Sequence, residues 1–133
     1  MKQRNILIAG AGSAGTMMAN HLKRKLNHHE WKITIVDEAT THYYQPGFLF
    51  LPFGIYDEHE IQKPITKYIP DDVDFINTAI DKIEPERNVL TLINGAELPY
   101  DILIIASGCS IAPEETPGMK DKLWYKDIFD FYS

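Results

Sequence analysis

A chain of 133 residues with 44% hydrophobic and 24% charged side chains is long enough for one domain with a core, and this composition excludes a disordered or fibrous protein. The formal charge of −6 speaks against nucleic acid, whose phosphates would be repelled. A single cysteine, Cys109, excludes an intrachain disulfide and suits a reducing compartment.

The charge is uneven along the chain. Residues 1–36 hold six cations (Lys2, Arg4, Lys23, Arg24, Lys25, Lys32) against Glu30, a net of +5, which leaves −11 for the rest. Lys23, Arg24 and Lys25 are read as the last turn of a helix, where cations complement the dipole. Met1-Lys2-Gln3-Arg4 runs into a short apolar stretch and then glycines, so no secretory leader is expected. No apolar run approaches the roughly 18 residues of a membrane-spanning helix. A cytoplasmic setting is the expectation.

"NILIAG" (5–10), apolar and closed by glycine, predicts a buried parallel strand. "SAGTMMANHLKRKL" (13–26) predicts a helix, with Ala14, Met18, Leu22 and Leu26 at steps of four and Met17 beside them as its apolar face. "WKITIVD" (31–37) predicts a second strand, completing a βαβ unit. "THYYQPGFLFLPFG" (41–54) mixes aromatic and aliphatic side chains with two prolines and two glycines, and reads as an apolar, kinked loop. "KPITKYI" (63–69) predicts a short helix with Pro64 in its first turn, and "VDFINTAI" (73–80) a third strand. Residues 79–100 predict strand-like pieces with turns at Pro85–Asn88 and Asn94-Gly95. "YDILIIASG" (100–108) predicts another parallel core strand. The aromatic-rich end, "LWYKDIFDFYS", is unlike a frayed polar terminus, so the chain is expected to be part of a longer one.

Gly10-Ala11-Gly12-Ser13-Ala14-Gly15 fits G-x-G-x-x-G, after a strand and opening a helix, and Asp37 stands 22 residues beyond Gly15. That context predicts dinucleotide binding. Gly10 permits the tight turn, Gly12 lets the backbone approach a pyrophosphate, and Gly15 lets helix and strand pack. Ser13 and Ala14 present helix N-terminal N–H groups to phosphate. Asp37, with Glu38 as its neighbour, is the expected acceptor for a ribose hydroxyl. The fingerprint alone leaves NAD and FAD open.

Residues 80–100, a meander in the crossover place before "YDILIIASG", together with Ala106-Ser107-Gly108, resemble the two-dinucleotide-domain flavoproteins. There an "ATG"-like turn follows the corresponding strand; Ser stands here for Thr. "HYYQPGFLFLPFG" and "YDILIIASGCSIAPEETPGM" are similar to sulfide:quinone oxidoreductases, and type II NADH dehydrogenases have a similar histidine-aromatic-Gln-Pro loop. The resemblance implies an α/β Rossmann-like parallel sheet with a β-meander crossover, incomplete, in which residues 1–133 are the N-terminal part of an FAD-binding domain. It implies FAD as cofactor and a longer enzyme, peripheral on the inner face of a membrane, that passes two electrons from sulfide through FAD to quinone.

The second nucleotide domain, the redox cysteine pair and the C-terminal amphipathic helices of that family do not occur in these 133 residues, so the chain alone is expected to be inactive. Implied contacts are Ser107 and Gly108 near the diphosphate, Ala79 or Ile80 to adenine through the backbone, and Gln45 and Pro46 beside the flavin, the alternative for this pair being a hydrophobic turn packed on the helix. Cys109 is read as a small buried apolar residue, with a redox thiol as the alternative. His28-His29-Glu30 reads as a solvated turn, and no metal is expected. The rival readings are a type II NADH dehydrogenase fragment and a non-catalytic nucleotide-binding module. An exposed apolar surface is expected to favour a homodimer.

Overall fold

The structure is a computed structural model that describes residues 3–120 and 122–132. The chain divides into two compact units, residues 1–42 with 63–108 and residues 43–62 with 109–133.

The first unit is built on β1 (Arg4–Ala9), α1 (Ser13–Lys25) and β2 (Trp31–Asp37). β1 and β2 pair in parallel from Arg4↔Trp31 to Ala9↔Val36. Their isoleucines and valine are β-branched and lie on a doubly covered sheet, which suits a continuous apolar run. β3 (Thr41–Tyr43) and β4 (Gln62–Pro64) make a two-stranded sheet. β5 (Asp74–Asn77) adds to β2, also in parallel, with Asp37↔Asn77 as the last pair. The antiparallel meander β6 (Ile80–Glu84), β7 (Val89–Leu92) and β8 (Glu97–Pro99) follows. β9 (Ile102–Ile105) then returns to the other side of β1. The resulting order is β5-β2-β1-β9. Strands are added to one side of β1 through β2 and β5 and then to its other side with β9, so the crevice beyond the carboxyl end of β1 is a topological switch point.

Two apolar layers hold this sheet. Ile6, Ile8, Ile33 and Ile35 face Ala11, Ala19 and the partly buried Leu22 and Leu26 of the helix side. Leu7, Ala9 and Val36 face Leu90 and Leu92 of the meander. Leu22 and Leu26 of the predicted α1 face pack against the core as expected, but its N-terminal half is corrected. Gly15, Thr16 and Ala19 are the buried helix residues, while Ala14, Met17 and Met18 are exposed. Small residues win the sheet-facing side because the helix must approach the β1 turn closely; hydrophobicity alone would have turned the methionines inward.

Other predicted elements also change. Residues 63–69 form no α-helix; Ile65–Tyr68 make a 3₁₀ turn after β4, with Pro64 as its cap. The strand expected over 73–80 stops at Asn77, and Ile80 opens the meander instead. The turn at residues 85–88 is a 3₁₀ turn closed by Asn88 at φ 51°, a left-handed conformation that asparagine tolerates. Gly95, at φ 84°, turns the second hairpin.

In the second unit, Gln45–Phe53 form a 3₁₀ segment with Pro52 inside it and Gly54 in the left-handed region closing it. Tyr44 N–H donates to the Ile61 carbonyl at 2.7 Å. α2 (Glu58–Ile61) is capped by Asp57, whose carboxylate accepts from the His59 N–H, while Glu60 reaches back to the Asp57 N–H at 2.7 Å, a capping box.

Candidate functional site

The glycine turn joins β1 to α1 at the carboxyl end of the sheet. Gly10 N–H donates to the Val36 carbonyl at 2.8 Å, and Ala106 N–H donates to the Ala9 carbonyl at 2.7 Å. The turn is therefore fastened to β2 on one side and to the chain leaving β9 on the other. Gly10 has φ 106°, and a Cβ there would overlap the Ala106 carbonyl. A Cβ on Gly15 would overlap the Gly10 carbonyl oxygen and come within 3.5 Å of Ile35 Cδ1. Both glycines are thus required by packing within the chain itself.

Gly12 differs. It is exposed, has ordinary extended dihedrals (φ −67°, ψ −163°), and a Cβ on it would meet no atom within 4 Å. Nothing in this fold demands glycine there. Gly12 is also the N-cap of α1, with no side-chain capping bond and no acidic residue in the first turn. The N–H groups of Ser13, Ala14 and Gly15 have no intrahelical acceptors, so the 13-residue helix points its positive end at the open ground beside Gly12. These features fit an anion approached by backbone, as the diphosphate of a dinucleotide is.

Asp37 closes β2. Its Oδ2 accepts the Ala11 N–H at 2.6 Å, and its Oδ1 accepts the Ala39 N–H at 2.8 Å. A carboxylate has about four acceptor positions, so each oxygen retains capacity for a hydroxyl. The acid is a strap on the glycine turn as well as a candidate ribose ligand, a duty the sequence did not disclose. Glu38 is exposed beside it.

Asn77 was not singled out from the sequence. Its Nδ2 lies 2.9, 3.0 and 3.1 Å from the carbonyl oxygens of Asp37, Glu38 and Ala39. The Thr78 N–H adds a bond to the Asp37 carbonyl at 3.0 Å. The available signal was an asparagine ending a strand, but only pairing across 40 residues reveals its partners.

Ser107 and Gly108 follow β9 at the same end of the sheet and are exposed, Gly108 with φ 72° and open space where a Cβ would stand. Ala79 and Ile80 lie at the start of the meander. The Ala79 carbonyl already accepts the Ile93 N–H at 3.1 Å, and Ile80 pairs with Leu92. Gln45 and Pro46 are exposed at the start of the 3₁₀ segment, in the second unit.

Cys109 also belongs to that unit and is exposed, which corrects the expectation of a buried apolar residue. Its Sγ lies 3.2 Å from Tyr132 Oη, and the Tyr132 hydroxyl donates to the Cys109 carbonyl at 3.0 Å. Among the described residues, no three His, Cys, Asp or Glu side chains gather as metal ligands would. Among those residues, too, no helix is long and apolar enough to cross a membrane.

The profile of the pyridine nucleotide-disulphide oxidoreductases matches residues 4–130. The mitochondrial sulfide:quinone oxidoreductase of Dictyostelium discoideum is 27% identical over 128 residues, covering 96% of this chain and 28% of that protein. The type II NADH:quinone oxidoreductase of Staphylococcus haemolyticus is 29% identical over 120 residues, covering 90% and 30% respectively. Among solved structures, the sulfide:quinone oxidoreductase of Aquifex aeolicus superposes with a TM-score of 0.70 at 26% identity, over 82% of this chain and 25% of that one. The chain thus spans less than a third of the length of these relatives. The α/β Rossmann-like architecture is common to them, and with nearly every residue inside the matched profile, the chain belongs to the pyridine nucleotide-disulphide oxidoreductase family.

Proposed function

We propose that this chain is the N-terminal, dinucleotide-binding part of a sulfide:quinone-type flavoprotein oxidoreductase, and that it holds the adenosine diphosphate half of FAD. The observation that carries this reading is Gly12, a glycine no internal contact requires, at the uncapped start of α1. The N–H groups of Ser13, Ala14 and Gly15 hold the diphosphate, Gly10 shapes the turn, and Ser107 and Gly108 border the same end of the sheet. Asp37 takes a ribose hydroxyl while retaining the Ala11 N–H, with Glu38 next to it. Ala79 or Ile80 meets adenine through the backbone. Gln45 and Pro46 are assigned to the flavin end.

FAD, when bound, supplies two-electron transfer, in the longer protein from sulfide to quinone. The residues of this chain bind and orient the cofactor. These 133 residues hold one cysteine and so no redox pair for sulfide, and the sulfide reaction is assigned to the longer protein. The longer protein would sit in the cytoplasm, peripheral on the inner membrane face through regions outside this chain. The short chain would pair with a second copy over its exposed apolar side chains.

Similarity to a type II NADH:quinone oxidoreductase at 29% identity supports a second reading, in which NADH is the donor. Assays of the longer protein with sulfide or NADH and a soluble quinone separate the two. For the chain itself, FAD is titrated and followed by flavin fluorescence, then released by denaturation. The expected result is stoichiometric FAD, weakened at least about tenfold in Asp37→Ala through loss of a charge-assisted bond. Unchanged affinity in that variant removes the ribose role. A folded chain that binds ADP but takes up no FAD makes it a non-catalytic nucleotide module.

A further inference from the structure

Asn77 stands at the carboxyl end of the edge strand β5, paired in register with Asp37. A regular strand turns successive carbonyls to opposite sides, yet three successive carbonyls, those of Asp37, Glu38 and Ala39, converge on the single Nδ2 of Asn77. Three acceptors around one atom identify it as the nitrogen, and its two N–H groups are shared among them. The backbone beyond β2 is thereby curled around one exposed side chain. The same three residues are held from the inside by Asp37, which bonds Ala39 N–H with one carboxylate oxygen and Ala11 N–H with the other. The curl and the reach of the carboxylate to the glycine turn are one arrangement. If residues 37–39 continued as strand, Ala39 N–H could not meet the Asp37 carboxylate two residues back.

We propose that Asn77 is the positioning residue of the nucleotide site: by gathering the carbonyls of residues 37–39, it aims the Asp37 carboxylate at the glycine turn and at the ribose hydroxyls. This rests on the reading that a dinucleotide binds across that turn. Asn77 touches no part of the nucleotide; it acts through Asp37. Aspartate at this position has the same shape but sets acceptor oxygens against three carbonyl oxygens, which drives the peptides apart.

The test compares ADP with its 2′-deoxy and 3′-deoxy analogues by calorimetry on the whole chain. One charge-assisted hydrogen bond corresponds to about tenfold in affinity, so wild type should prefer ADP about tenfold over at least one analogue. In Asn77→Asp, with far-UV circular dichroism retained, that preference should collapse to within about twofold. A purely structural role would weaken all three ligands in step and leave the ratio alone. A folded Asn77→Asp chain with the full preference overturns the inference while sparing the dinucleotide reading. Absent ADP binding, or no preference in wild type, overturns the ribose reading and the inference with it. Should Asn77→Asp not fold, Asn77→Ser, too short to gather three carbonyls, carries the same expectation: a collapsed preference supports the role and a full one overturns it.

Discussion

The two units spend their apolar side chains in opposite ways. In the first, the parallel strands bury Ile8, Ile35 and Val36 completely, and Leu90 of the meander closes the other layer. In the second, Gly47 and Ile61 are the only buried positions among the described residues, and Phe53 is 75% exposed. Both "GFLFLPFG" and "NILIAG" are dominated by apolar side chains. The difference is in the backbone. Strands satisfy their N–H and C=O groups on neighbours, so the whole segment can leave water. A 3₁₀ segment carrying Pro46 and Pro52 lacks those donors, leaves peptide groups facing solvent and keeps its aromatics near the surface. There they meet as edge-on pairs such as Tyr43 with Phe48, centroids 6.0 Å apart, both lining a groove of about 610 Å³.

Substitutions test this contrast. The largest effect is expected from Gly15→Ala, whose new Cβ would overlap the Gly10 carbonyl oxygen. Backbone cannot yield as a side-chain tip can, so a loss above about 3 kcal/mol is expected in urea unfolding, or failure to fold. Next, Ile35→Ala should cost about 2–5 kcal/mol, the usual range for emptying a packed site. Phe53→Ala in the second unit should stay within about 0.5 kcal/mol. Equal losses at Ile35 and Phe53 would erase the contrast between the units.

Within the site, Gly12→Ala sharpens it further. Stability should hold within about 0.5 kcal/mol, while ADP or FAD affinity measured by titration falls about tenfold or more as the methyl displaces the phosphate. The smallest effect is electrostatic. The hydrogen bond from Lys23 Nζ to Asp72, 3.0 Å long, holds the Asp72 carboxyl below its ordinary 3.8. A carboxyl lowered in the folded state adds stability above the ordinary value and loses it as pH falls through the folded one. Both side chains are about half exposed, so screening limits the pair to about 0.5 kcal/mol. Lys23→Ala should therefore lower the unfolding free energy slightly at pH 7, with the gap closing below pH 3.8 and at high salt.

The βαβ unit, the glycine turn, the acid at the end of β2 and the meander were legible along the chain, because each is written in local periodicity and in residues with narrow conformational uses. Gly10 and Gly15 were legible as backbone requirements, and Asp37 as an acid at the expected distance. Their environments were not. The phase of α1 depends on how closely the helix must pass the Gly10 carbonyl, so Gly15, Thr16 and Ala19 face the sheet and Met17 does not. Cys109 reads as a small apolar residue but lies exposed beside Tyr132. That Asp37 binds Ala11, and that Asn77, 40 residues away, gathers the carbonyls around it, emerges from the fold alone. Such bonds are made between strands adjacent in the sheet and distant in the chain, and a pattern of neighbours along one chain carries no record of them.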